Sequence, residues 1–220
     1  DGVSALRLSP HKFDVIISQP SNPWSAGVGN LFTAEFFNSC KEKLRPGGIV
    51  AQWFNLYEMD DKSLKLILRT VLSSFKHVEL WHIGGNDILM ICSEVPLNKN
   101  LEDLRQNYKL SSEEFKKINI HSFGAFLSQQ FTSSEKTIKT YAGKGRLNTE
   151  NLPLLEHWAP KAYYYNSRPD SFFPLDERAK IKSNPNLLIS KFLKTKEATD
   201  DDILQAALFQ SLGGNKELAF

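Results

Sequence analysis

Phe13-Asp14-Val15-Ile16-Ile17 and, one helix later, Ile49-Val50-Ala51-Gln52-Trp53-Phe54 are the two runs whose reading decides the fold. Both are short and apolar without alternation, the pattern of a strand buried on both faces. Ser18 to Asn30 between them is rich in Pro, Ser, Asn and Gly and reads as a loop. A helix is predicted from about Ala34 to Leu44, with Thr33 as N-cap and Phe36, Phe37, Cys40 and Leu44 on one face. Pro46-Gly47-Gly48 stops it. Strand, helix and strand in this order make a βαβ unit.

Working outward, Leu64, Ile67, Leu68, Val71, Leu72 and Phe75 form an apolar stripe at helical spacing, capped by Asp60 or Asp61. His77 to His82 reads as a strand, Gly84-Gly85-Asn86 as a turn and Asp87 to Cys92 as a closing strand. The fold class is therefore α/β, a parallel sheet whose last strand is antiparallel. Val95 to about Tyr141 is mainly helical and more polar, and residues 142–185 read as irregular. There Tyr163, Tyr164, Tyr165, Phe172 and Phe173 form a ligand wall or pin the segment down. Thr195 to Asp202 is a charged linker before a helix marked by Ile203, Leu204, Ala207, Leu208 and Leu212. Leu208-Phe209, Gly213-Gly214 and Ala219 give that end a faint likeness to a tetratricopeptide repeat. The expected domains are 1–95, an appended helical and irregular segment over 96–194, and a linker with the start of a helical repeat over 195–220.

Composition narrows the function. Hydrophobic residues make up 41% and charged residues 24%, which excludes a disordered chain or disulfide scaffold. A net charge of +2, from 27 basic and 25 acidic residues, leaves no nucleic-acid footprint. No apolar run reaches the ~20 residues that span a bilayer, and a cytoplasmic location is expected. Cys40 and Cys92 fall in apolar patterns and read as buried. His11, His77, His82, His121 and His157 form no metal-ligand spacing. The chain opens on Asp1-Gly2 and closes on Ala219-Phe220 inside a helical pattern, which reads as two cuts through a longer protein.

In an open α/β sheet, ligands bind beyond the carboxyl ends of the strands. Three segments end there: Asp1-Gly2, the loop after Ile17, and Gln52 to Glu58. The loop is thirteen residues long, against the usual two to six for such a connection. Pro20 and Pro23 stiffen it, and Gly27 and Gly29 permit close approach or positive φ. It either folds over a ligand or forms a structural loop around Trp24. Glu58, Asp60 and Asp61 recruit an amine or cap the next helix.

These blocks resemble the polyamine aminopropyltransferases, most closely their spermidine-synthase-like branch. The likeness rests on Phe-Asp-Val-Ile-Ile, the Pro-Ser-Asn-Pro-Trp loop, Leu-Phe-Thr-x-Glu-Phe-Phe and Leu-x-Pro-Gly-Gly-Ile-x-x-Gln-Trp. Leu147-Asn148-Thr149-Glu150-Asn151-x-Pro153-x-Leu155-Glu156 and Ala159-Pro160 extend it to about residue 165. The resemblance implies part of a Rossmann-like sheet of the S-adenosylmethionine-dependent methyltransferase type. It also implies decarboxylated S-adenosylmethionine or S-adenosylmethionine as cofactor, an amine as acceptor, and a place in polyamine biosynthesis. Asp1, Gly2, Ser18 and Pro20 would hold the nucleotide; Gln52, Tyr57 and Ser21 would line the acceptor pocket; Gln19 and Asn22 take the catalytic positions.

Those catalytic positions depart from the family. Its Asp-Ser-Ser-Asp-Pro pattern is Gln19-Pro20-Ser21-Asn22-Pro23 here, so both acids are amides. An amide has no charge and is no useful base, and losing a positioned base typically slows a reaction by ~10²–10⁴-fold. The alternative function is accordingly an inactive Rossmann-like scaffold joined to helical repeats, its C-terminal helices holding a protein partner. The Gly-rich turn that cradles the methionine part of the cofactor is absent from the sequence. It is expected upstream of Asp1, so the isolated chain should be inactive. The first strand should then have an open edge, covered by the segment after residue 95 or by a second copy in a homodimer.

Overall fold

The computed structural model describes residues 1–212; Gly213-Gly214 and Ala219, invoked for the repeat, lie outside them. Helix α1 (Gly2–Leu8) leads to β1 (Phe13–Ser18), and a long loop with a 3-10 turn at Val28–Phe32 leads to α2 (Ala34–Lys43). Then follow β2 (Leu44–Asn55), α3 (Asp61–Ser74), β3 (His77–Gly84) and β4 (Asp87–Ser93). The sheet order is β1-β2-β4-β3, with β1 parallel and β4 antiparallel to β2. This is the expected mixed α/β sheet, consistent with a Rossmann-like fold.

The local signals act where they were read. Thr33 Oγ1 accepts from Phe36 N at 3.2 Å, and Asp60 Oδ1 accepts from Ser63 N at 2.8 Å. Pro46-Gly47-Gly48 follows the end of α2 at Lys43 and forms the first, irregular part of β2. Gly48 allows that pairing, because a Cβ there would meet the carbonyl oxygens of Phe13 and Asp14 at 3.0 Å.

β1 corrects an expectation. Val15 is 49% exposed and Ile17 is 73% exposed, so the strand is not buried on both faces. Among the described residues β1 is the terminal strand and pairs with β2, and no strand after residue 95 pairs along its open edge.

The chain divides into two compact units, and their membership differs from the expected contiguous domains. The first comprises Asp1–Leu80, Asn86–Leu97 and Ser134–Leu175. Helices α4 (Leu101–Leu110), α5 (Ser112–Lys117) and α6 (Phe123–Leu127) belong to the second, with Trp81–Gly85 and the described residues from Asp176 onward. Helix α7 (Glu135–Ala142) and α8 (Leu154–Tyr164) return to the first unit, and both pack on α3. Burial of Leu66 as well as the Leu64, Ile67, Leu68 and Val71 stripe follows from α3 packing on α2, α7 and α8.

Helix α8 overturns the reading of residues 142–185 as irregular throughout. Pro160 stands inside it, yet Leu155, Ala159 and Ala162 recur at helical spacing and are buried. In the second unit α9 (Leu188–Phe192) and α10 (Asp200–Leu212) pack on α6 around a cluster that includes Tyr108, Phe123, Leu127 and Phe192.

Candidate functional site

A cleft of about 870 Å³ opens beyond the carboxyl end of β1. Its size falls within the ~300–1,000 Å³ of ordinary small-molecule pockets. Asp1, Gly2, Ser18, Gln19 and Pro20 line it, with Gly27, Asn30 and Leu31 from the loop overhead. Val3, Leu6, Ile16, Ile17 and Phe36 add apolar wall among these polar groups. Asp1 Oδ1 caps α1 by accepting from Ser4 N at 2.7 Å. Arg7 and Glu150 form an ion pair at the rim, and Glu150 N donates to Glu35 Oε2 at 3.0 Å. The rim's opposite charges therefore neutralise each other.

All four residues assigned to the nucleotide thus meet in one cleft, with Gln19 beside them. The acceptor group does not assemble with them. Ser21 is exposed and Asn22 is half-buried, and neither lines the cleft. Tyr57 donates its hydroxyl to Asn22 Oδ1 at 3.1 Å. Trp24 sits against Tyr57 edge-on at 5.7 Å and stacks on Tyr163 at 5.3 Å between ring centres. Gln52 pairs in register with Ser18, but its side chain is fully buried. Its Nε2 donates to Trp53 O at 3.0 Å, and its Oε1 has no partner. Gln19 and Gln52 therefore do not share the cleft.

Other titratable groups have structural roles. Asp61 accepts from the Tyr141 hydroxyl at 2.6 Å and from the Ser171 hydroxyl. Burial pushes its carboxyl up, but the Ser171 and Tyr141 hydrogen bonds outweigh that and hold it below the ordinary carboxylate range. Glu58 adopts a left-handed backbone with φ 52. Burial pushes the Cys40 thiol up to about 12 and the Cys92 thiol up as well, which leaves neither a thiolate nucleophile at neutral pH. Among the described residues no three His, Cys, Asp or Glu side chains gather as a metal site. No described helix is long and apolar enough to cross a membrane.

Sequence reasoning missed the roof supports. Glu156, in the first turn of α8, reaches the backbone amides of Gly27 and Gly29. Asn148 is fully buried and donates to the Gly29 and Phe32 carbonyls at 3.0 and 3.2 Å. The signal was present in the Asn148-to-Glu156 block, but its partners lie more than a hundred residues away.

Residues 1–83 match the spermine/spermidine synthase domain. The polyamine aminopropyltransferase of Enterobacter sp. (strain 638) is 49% identical over 53 residues, 24% of this chain and 18% of that protein. That of Klebsiella pneumoniae subsp. pneumoniae is 47% identical over 53 residues, with the same coverage. The Salmonella arizonae protein is 42% identical over 65 residues, 29% of this chain and 22% of its own length. The chain thus spans about a fifth of the length of these curated relatives. Asp1-Gly2, β1, the roof loop and β2 all lie within the stretch that matches the spermine/spermidine synthase domain.

Proposed function

We propose that the cleft takes the adenosine part of decarboxylated S-adenosylmethionine or S-adenosylmethionine, in an aminopropyltransferase-like protein of polyamine metabolism. The observation that carries this reading is the meeting of Asp1, Gly2, Ser18, Gln19 and Pro20 in one cleft at a strand's carboxyl end. The donor set suits a nucleoside. The apolar walls accept a flat base, and the Asp1 carboxylate retains a second oxygen for an amino group. Ser4, Ser18 and Asn30 offer hydrogen bonds to hydroxyls.

When bound, decarboxylated S-adenosylmethionine supplies a carbon activated by its sulfonium. An amine attacking there would form a C–N bond as the C–S bond breaks, its electrons passing to sulfur. The nucleoside product is then 5′-methylthioadenosine, and the amine releases one proton. Gln19 and Asn22 hydrogen-bond but cannot take that proton or attract an ammonium by charge. The chain's residues therefore favour an acceptor that arrives as the neutral amine and loses its proton to water.

Calorimetric titration with 5′-methylthioadenosine tests the reading. One-to-one binding that weakens in Asp1→Asn is expected. No binding at millimolar ligand would overturn it.

A further inference from the structure

We propose that Glu156 is the positioning residue for the roof of this cleft, acting through the backbone amides of Gly27 and Gly29; the proposal rests on the nucleoside reading above. Glu156 Oε1 accepts from Gly29 N at 3.0 Å, and Oε2 accepts from Gly27 N at 3.3 Å. Gly27 is itself part of the cleft lining, one step from that carboxylate.

The geometry explains both glycines. Gly27 has φ 83, where an L side chain is strained. A Cβ on Gly29 would lie 2.7 Å from Glu156 Oε1. The pair makes a small backbone concavity that takes an anion, and here the anion is the chain's own carboxylate.

Glu156 is the side chain that holds the Gly27 and Gly29 amides of the loop. The loop's own backbone bonds are short-range, from Ser25 N to Asn22 O, Val28 N to Ser25 O and Asn30 N to Gly27 O. Glu156, by contrast, is anchored to the interior. Leu155 N donates to Asn148 Oδ1 at 3.1 Å, and Asn148 N donates to Thr70 Oγ1 on α3 at 3.0 Å. Asn148 also holds the Gly29 carbonyl, so one segment grips both polar groups of Gly29. A roof fixed before the ligand arrives spares the binding step its ordering entropy.

The test is affinity for 5′-methylthioadenosine, read by calorimetry alongside thermal midpoints. Glu156→Ala should raise Kd roughly tenfold, as expected for losing a charge-assisted hydrogen bond. Glu156→Gln keeps an acceptor oxygen for Gly29 N and should recover most of that affinity. Gly29→Ala displaces the carboxylate, so its effect should not add to that of Glu156→Ala. Asp61→Asn, which breaks a latch in the same unit away from the roof, should lower the midpoint and leave Kd unchanged. An unchanged Kd in Glu156→Ala, or additive effects with Gly29→Ala, overturns this proposal and leaves the nucleoside reading standing. Failure of the wild type to bind overturns the nucleoside reading, and the positioning role with it.

Discussion

The two halves of the candidate site are built differently. The nucleoside half draws Asp1, Gly2, Ser18, Gln19 and Pro20 from the start of α1 and the end of β1, and they face one cleft. On the acceptor half, Asn22 and Tyr57 bond to each other and Gln52 turns into the interior. The first half rests on the ends of regular elements, whose directions are set by backbone geometry. The second rests on individual side chains, and its Asn22, like Gln19 nearby in the chain, is an uncharged amide. On the proposed function, backbone geometry fixes the nucleotide half and single side chains fix the acceptor half.

The largest expected effect concerns the acceptor half. On the proposed function, Gln19→Asp with Asn22→Asp should raise aminopropyl transfer to an amine by about 10²–10⁴-fold, measured as 5′-methylthioadenosine release. No gain would mean that the acceptor half lacks more than its acids. Next, Asn148→Ala should destabilise by about 3 kcal/mol in urea unfolding, because it strands buried backbone groups of Gly29, Phe32 and Leu155. The matched change Asn22→Ala, at a half-buried position, should stay within about 0.5 kcal/mol. Equal effects would erase the contrast between supported roof and loose acceptor side.

A smaller effect separates the units by pH. Burial and the Arg178 charge pull His82, in the second unit, from 6.5 down to about 4. The unfolded chain binds that proton first, so this stability is full above about pH 6.5 and declines as pH falls toward 4. His82→Gln should flatten that decline in thermal scans. Asp61, in the first unit, has its folded pKa depressed, so its contribution is present above the ordinary carboxylate range. It is lost as pH falls through the folded value, and Asp61→Asn should remove that loss alone. The smallest effect concerns the β1 edge, where Ile17→Lys should reduce self-association in sedimentation, if a second copy pairs there. Unchanged sedimentation would assign that edge no role between copies.

Much of this was legible from neighbouring residues. Thr33 and Asp60 cap the helices their positions predict, and the Gly84-Gly85-Asn86 turn joins the two strands it separates. Helix α8 was hidden by Pro160, although Leu155, Ala159 and Ala162 carried its period. The exposure of Val15 and Ile17 was not legible, because an apolar strand reads alike at the centre and the edge of a sheet. Nor was the inward turn of Gln52, which depends on the face its strand position presents.

By itself, then, the sequence determined the kinds of elements, their caps and the residues at β1's carboxyl end, because periodicity and capping act over a few positions. Only the tertiary structure decided that Glu156 would seat on Gly27 and Gly29, and that residues 134–175 would join the first unit. Those contacts close loops of more than a hundred residues. They are chosen by burial and hydrogen-bond satisfaction across the whole unit, which leaves no local pattern to read.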